Sequence, residues 1–149
     1  MIATHARPGR VEWIGLRAER LGEIRPVTCC EITESGLSGD HARPGKRAVT
    51  LIQAEHLPVI AALANLPVVA PETLRRNVVV SGLNLLALRK GRLRLGTVLL
   101  EITGPCAPCS RMEKALGPGG FNAVRGHGGW CARVLVPGRV AIGERAEPA

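Results

Sequence analysis

The chain has 149 residues, 20 basic against 12 acidic side chains, a net charge of +8 at pH 7 and 46% hydrophobic residues, enough to bury one core without disulfides or metal. With no Tyr, one Phe and two Trp it lacks the stacking platforms of single-strand and RNA binders, so the positive charge is not read as a nucleic-acid surface. Residues 57–70, the longest apolar stretch, hold Pro58, Asn65 and Pro67 and fall short of the roughly 20 residues of a membrane span, which excludes the membrane as partner.

In chain order, residues 1–9 read as a loose tail before a single domain over 10–149. Strands are expected at about 10–18 and 26–33, joined through Leu21, Gly22 and Glu23 in a hairpin-like connection. Residues 34–46 form a glycine-rich polar loop that carries Asp40 and His41 side by side, a length at which loops often present functional side chains. A short strand over 47–52 leads to a helix over 54–64, with Leu57, Ile60, Ala61 and Ala64 on one face. A helical turn opens at Pro71, a β-branched strand covers 77–81, and residues 83–88 fit either a short helix or a buried turn. Strands at 91–95 and 97–103 are expected to hinge at Gly96 as a barrel corner or bulge.

Residues 104–109, Gly-Pro-Cys-Ala-Pro-Cys, form a rigid turn into a helix over 110–116. Cys109 then lies at or just before a helix N-terminus, where free N–H groups, the dipole, Arg111 and Lys114 favour a thiolate. Such a cysteine serves as nucleophile or as a ligand for a soft metal. Residues 117–129 carry six glycines and read as the most flexible segment. Strand 130–136 turns at Pro137-Gly138 into 140–142, a terminal hairpin. The five cysteines, at 29, 30, 106, 109 and 131, have no framework spacing and read as reduced thiols of a cytoplasmic protein. Cys29 and Cys30, adjacent in a strand, are expected on opposite faces. Seven or eight short strands, glycine turns and two or three inserted helices predict a mostly β fold, a closed or nearly closed barrel. A small phosphorylated or pterin-like ligand needs only a few arginines converging on one pocket, which this composition supplies.

The order of Gly36-Leu37-Ser38-Gly39-Asp40-His41, Arg47 with Val49-Thr50-Leu51-Ile52 and Glu55, Arg76-Asn77-Val78-Val79-Val80-Ser81-Gly82, Leu95-Gly96, Pro108-Cys109 and residues 138–144 resembles the MOSC domain, named after the C-terminal part of molybdenum cofactor sulfurase. The resemblance covers nearly the whole chain from Val11 onward. It implies a MOSC-like β-barrel and a cysteine, Cys109 by position, that binds the molybdenum of a molybdenum-pterin cofactor or carries sulfur as a persulfide. It implies further that Asp40 and His41 act with that cysteine, and that Arg47, Arg76, Asn77, Ser81 and Arg111 lie near an anionic pterin. Reductases of this family carry a further N-terminal region and the sulfurases a pyridoxal-phosphate domain. Pyridoxal phosphate is therefore expected only on a separate partner, a cysteine desulfurase, and an electron-donor protein is the other expected partner.

Two other chemistries fit the same residues. Cys106 and Cys109, in a Cys-x-Pro-Cys pattern at a helix start, suit a thiol-disulfide oxidoreductase. Cys106, Cys109, Cys131 and His127 supply four ligands for a zinc-stabilised binding module. Asp40 is also a turn-closing residue by type, His41 a general acid or base, His56 a structural residue of its helix, and Arg125 and His127 parts of a glycine-flanked lid.

Overall fold

A computed structural model describes all 149 residues. Eleven strands, four short α-helices and one 3-10 turn at Leu85–Leu88 alternate along the chain. The strands are β1 (Gly9–Arg17), β2 (Ile24–Val27), β3 (Cys29–Thr33), β4 (Gly36–Leu37), β5 (Val49–Gln53), β6 (Val78–Ser81), β7 (Arg92–Leu95), β8 (Val98–Pro105), β9 (Trp130–Val136), β10 (Gly138–Ala141) and β11 (Arg145–Pro148). The helices are α1 (His56–Leu63), α2 (Pro71–Leu74), α3 (Arg111–Leu116) and α4 (Gly120–Val124).

Seven strands close a barrel in the order β11-β7-β8-β9-β5-β6-β1, sealed where β1 pairs β11 at Gly9↔Ala146 and Arg10↔Arg145. β2 continues along the other end of β1, and β10, β3 and β4 form a small separate sheet. The expected mostly β barrel is the observed fold. Every pairing is antiparallel except β5 with β6, because the chain between them crosses over through α1 and α2.

Side-chain alternation explains the closure. Leu93 and Leu95 of β7 and Val98, Leu100 and Ile102 of β8 point into the barrel, while Arg92 and Arg94 point out to water. Those arginines, with Arg89 and Lys90, are exposed and form a solvated face. β5 is buried along its whole length. Its Val49 and Leu51 fill the barrel, and Ile52 packs outside beneath the helices with Ile60, Leu74, Met112 and Val124. In β1 both Val11 and Ile14 face inward, three residues apart, which strict period-two alternation forbids. The strand solves this with a bulge between Val11 and Trp13, so Trp13 turns outward under the helices.

Several expectations change. The strand predicted at 26–33 is two strands, β2 and β3, which leave Thr28 to join different sheets. Gly96 is not a hinge within a bent strand. It sits at φ +55° in the tight hairpin that brings Leu95 opposite Val98. The terminal hairpin does not form. β9 lies between β8 and β5 while β10 pairs with β3, so the Pro137-Gly138 turn carries the chain from one sheet to the other. Residues 145–148, for which no strand was expected, are the closing strand β11. Residues 120–124, expected as a flexible run, form α4, whose Ala123 and Val124 are buried. Glu113 holds the entry to α4 by accepting from the N–H groups of Gly119 at 3.2 Å and Phe121 at 2.9 Å. Cys30 is buried and Cys29 half-buried against Arg139 at 3.1 Å, the two faces expected of neighbours in a strand.

Candidate functional site

Three stretches of chain converge at one end of the barrel. β1 ends at Arg17, the loop after β4 carries His41, Arg43 and Arg47, and the start of β6 is preceded by Arg76 and Asn77. A polar network ties them together. The Asp40 carboxylate is fully buried and pairs with Arg17 at 3.0 Å. It also accepts from the Arg17 backbone N–H at 2.7 Å, Asn77 Nδ2 at 3.1 Å and the Ala42 N–H at 3.2 Å. Asn77 is fully buried. Its Oδ1 accepts from Arg17 Nη2, the Thr50 N–H and the Thr50 hydroxyl, each at 3.1 Å, and its Nδ2 also reaches the Gly15 carbonyl at 3.2 Å. Burial pushes the Asp40 carboxyl up, but the bonds and charge of Arg17 and the Ala42 N–H together outweigh it and hold Asp40 below the ordinary carboxylate range.

This network backs the wall of a cavity of about 710 Å³ lined by Arg17, Arg20, His41, Ala42, Arg43, Arg47, Thr50, Arg76, Cys106, Ala107 and Cys131. Five arginines line this space and only Arg17 is paired with a carboxylate, a balance that suits an anionic ligand. Arg75 and Arg76 divide their work. Arg75, held at φ +59°, bonds the carbonyls of Glu19, Arg20 and Gly22 and so clamps the β1–β2 turn. Arg76 turns the other way, donating to the Gly128 carbonyl at 2.6 Å and the Leu74 carbonyl at 3.0 Å. Its Nη2 is buried without any partner in the chain. A buried donor left unsatisfied is costly.

The cavity contains two thiols. The β8–β9 ladder runs out at Gly104↔Cys131 and Pro105↔Trp130, and the Cys106 N–H then donates to the Gly129 carbonyl at 2.9 Å. This places the sulfurs of Cys106 and Cys131 3.2 Å apart, both buried. Accepting the hydrogen bond of Cys106 lowers the pKa of Cys131 and raises that of its partner. Burial opposes the lowering at Cys131, and the positive charge of Arg47 and Arg76 assists it. The asymmetry favours a thiolate on Cys131 over one on Cys106.

The expected site residues divide into three groups. His41, Arg47 and Arg76 line the cavity, and Asp40 and Asn77 stand directly behind its wall. Cys109 is exposed one residue before the N-cap of α3, outside the lining but two residues along from Ala107, which belongs to it. Arg111 lies in a separate depression with Leu21, Arg75 and Met112 and donates to the Arg20 carbonyl at 3.2 Å. Ser81 donates to Glu12 at 2.7 Å and does not line the cavity. Sequence reasoning passed over Arg17, Arg20, Arg43 and Thr50, and weighed Cys131 only as a zinc ligand.

Both rival chemistries change on this geometry. The thiol that meets Cys106 is Cys131, not Cys109. No three His, Cys, Asp or Glu side chains converge as a metal site, so the four zinc ligands do not assemble. His127 instead lies edge-on to His56, with ring centroids 5.5 Å apart. No helix is long and apolar enough to cross a membrane.

Among solved structures, the fold is similar to the YuaD protein from Bacillus subtilis, with a TM-score of 0.82 at 20% identity over 94% of both chains. It is also similar to YiiM from Escherichia coli, with a TM-score of 0.73 at 23% identity over 94% of this chain and 69% of that one. YiiM from Geobacillus stearothermophilus gives a TM-score of 0.79 at 17% identity, covering 95% of this chain and 75% of the other. No curated protein matches at the level of sequence. The family model for the MOSC domain matches residues 37–147, a span that takes in most of the polar loop, both cavity thiols and most of the closing strand, and the chain belongs to the MOSC domain family.

Proposed function

We propose that the arginine-lined cavity binds a molybdenum-pterin cofactor and that its thiols face the metal and sulfur end of that ligand. The observation that carries this reading is the unpartnered, buried Nη2 of Arg76 in a cavity that also holds the Cys106–Cys131 pair. The donor set suits both ends of such a molecule. Planar guanidinium groups match the oxygens of a phosphate, and a thiolate is a soft ligand for a sulfur-rich metal. When bound, the cofactor would supply a metal centre that exchanges electron pairs with a substrate.

The chain's own residues would then hold and shield it. Arg43 and Arg47, exposed on the loop after β4, would close over the anionic end. Arg76 would be fixed against the same end by Gly128 and Leu74. The buried wall from Arg17 to Thr50 would keep that end of the barrel rigid. His41, at the mouth, would give or take a proton. Cys109 is the exposed thiol open to a separate protein donor of sulfur, such as a cysteine desulfurase.

Mixing the protein with molybdenum cofactor released from a donor enzyme, followed by size-exclusion chromatography, tests the reading. Pterin fluorescence and molybdenum are expected to co-elute with the wild type. Arg43→Ala with Arg47→Ala together is expected to weaken retention by at least tenfold, the scale of lost charged hydrogen bonds. Absence of pterin from the wild-type peak, or equal retention by the double variant, would overturn it.

A further inference from the structure

The thiol pair has a geometry that cofactor binding alone does not need. Two thiolates on one tetrahedral zinc at about 2.3 Å each stand roughly 3.8 Å apart. Cys106 and Cys131 are 3.2 Å apart, roughly 1 Å from the ~2.05 Å of a disulfide. One is therefore placed to attack the other. Both line the space that Arg47 and Arg76 make attractive to anions, so what reaches Cys131 first is a small anion.

We propose that Cys131 and Cys106 form a two-thiol sulfur-transfer site for small anionic sulfane-sulfur compounds, of which thiosulfate is the simplest, releasing hydrosulfide into the cavity. The inference rests on the cavity being the working site and names the source of sulfur. In the first step the Cys131 thiolate attacks the outer sulfur of thiosulfate. A bond forms between the two sulfurs, the sulfur–sulfur bond of thiosulfate breaks, and sulfite leaves with the electron pair, its charge met by Arg47 and Arg76. Cys131 now carries a persulfide anion.

In the second step Cys106 attacks Cys131 Sγ. The Cys106–Cys131 disulfide forms, the bond to the terminal sulfur breaks, and that sulfur departs with the electron pair and the proton of Cys106 as hydrosulfide. The sulfane sulfur is reduced by two electrons and the two thiols are oxidised by one each. A dithiol reductant restores the pair for another turnover. Cys131 is the better nucleophile because the hydrogen bond of Cys106 and the charge of Arg47 and Arg76 favour its thiolate, and Cys106 keeps the proton to be delivered.

The experiment uses anaerobic, pre-reduced full-length protein and thiosulfate as the probe, with released sulfide and intact mass as readouts. Wild-type protein is expected to release one hydrosulfide per chain and to end two hydrogens lighter. Cys106→Ala is expected to release none and to gain one sulfur atom that a reductant removes. Cys131→Ser is expected to show neither change, falling to the rate of a protein-free control. Cys29→Ala, in the separate small sheet, is expected to behave as wild type. A melting curve like that of wild type confirms that Cys131→Ser is folded, and Cys131→Ala repeats the measurement if it is not. Sulfur gained equally by the Cys131 variants, or no reaction in wild type, overturns the inference. If wild type retains the pterin but ignores thiosulfate, only this inference fails; if it turns over thiosulfate but retains no pterin, the cofactor reading fails instead.

Discussion

Asp40→Ala is expected to destabilise the protein by about 3–5 kcal/mol, the usual cost of leaving one partner of a buried ion pair without the other. The side chain of Arg17 is only 14% exposed, so water cannot replace the lost carboxylate. The damage would spread, because Asn77 Nδ2 loses an acceptor and the Ala42 N–H loses its tie to the polar loop. Against a typical domain stability of about 5–15 kcal/mol, that is a large share. Chemical denaturation with urea checks it, and a loss under about 1 kcal/mol would mean that the network is not a structural wall.

The same carboxylate gives a pH dependence. Asp40 binds its proton less readily in the folded state than in the unfolded one. At acid pH the unfolded state therefore holds more protons, and stability rises with pH through that window. The contribution is complete above the ordinary aspartate range near pH 4 and disappears as pH falls below it through the lowered folded value. In Asp40→Asn the corresponding slope is expected to flatten.

Gly129→Ala is the second large effect. Gly129 has φ +94°, and a Cβ there would stand 2.0 Å from the Leu51 carbonyl oxygen, a backbone atom of β5 that cannot step aside. The cost exceeds the roughly 1–2 kcal/mol of placing an L-residue in left-handed backbone, because β9 must also move away from β5. That movement would carry Cys131, two residues on, and would break the bond from the Cys106 N–H to the Gly129 carbonyl. The expected result is a lower melting temperature together with loss of the close contact between the two thiols. Quantifying disulfide formation under mild oxidant reads the second effect directly. Retention of wild-type oxidation in a folded variant would show that this glycine does not set the pair.

Much of the barrel was legible because its strands obey simple alternation. Leu93, Leu95, Val98, Leu100 and Ile102 declare their face without help from the rest of the chain. The failures share a physical cause, which is pairing at a distance. Nothing near residues 145–148 reveals that they meet β7 and β1, and nothing in the Pro137-Gly138 turn reveals that it changes sheets. α4 was hidden by three glycines, of which Gly117 ends α3, Gly119 at φ +88° caps α4 and Gly120 opens it, while its stabilising partner Glu113 lies in the preceding helix. For the site, Asp40 and His41 were expected beside Cys109, and Arg47, Arg76 and Asn77 near the ligand with Ser81 and Arg111, but which of these meet depends on register. Cys131 stands directly across from Thr50 and Gly104, and only that pairing turns an isolated cysteine into half of a dithiol. Arg17 had a signal that went unused. It is the charged residue ending an apolar strand, where a barrel mouth places its polar groups.

The seam between β1 and β11 joins the first strand of the chain to the last. Until β11 is made, a nascent chain on the ribosome has β7 and the start of β1 as open edges, the surfaces on which strands of different molecules pair and aggregate. Contacts this far apart in sequence slow folding into the range of milliseconds to seconds. The last four-residue strand is therefore a kinetic gate for the molecule, and its absence or delay would be felt first as lost solubility rather than as a defect of the cavity.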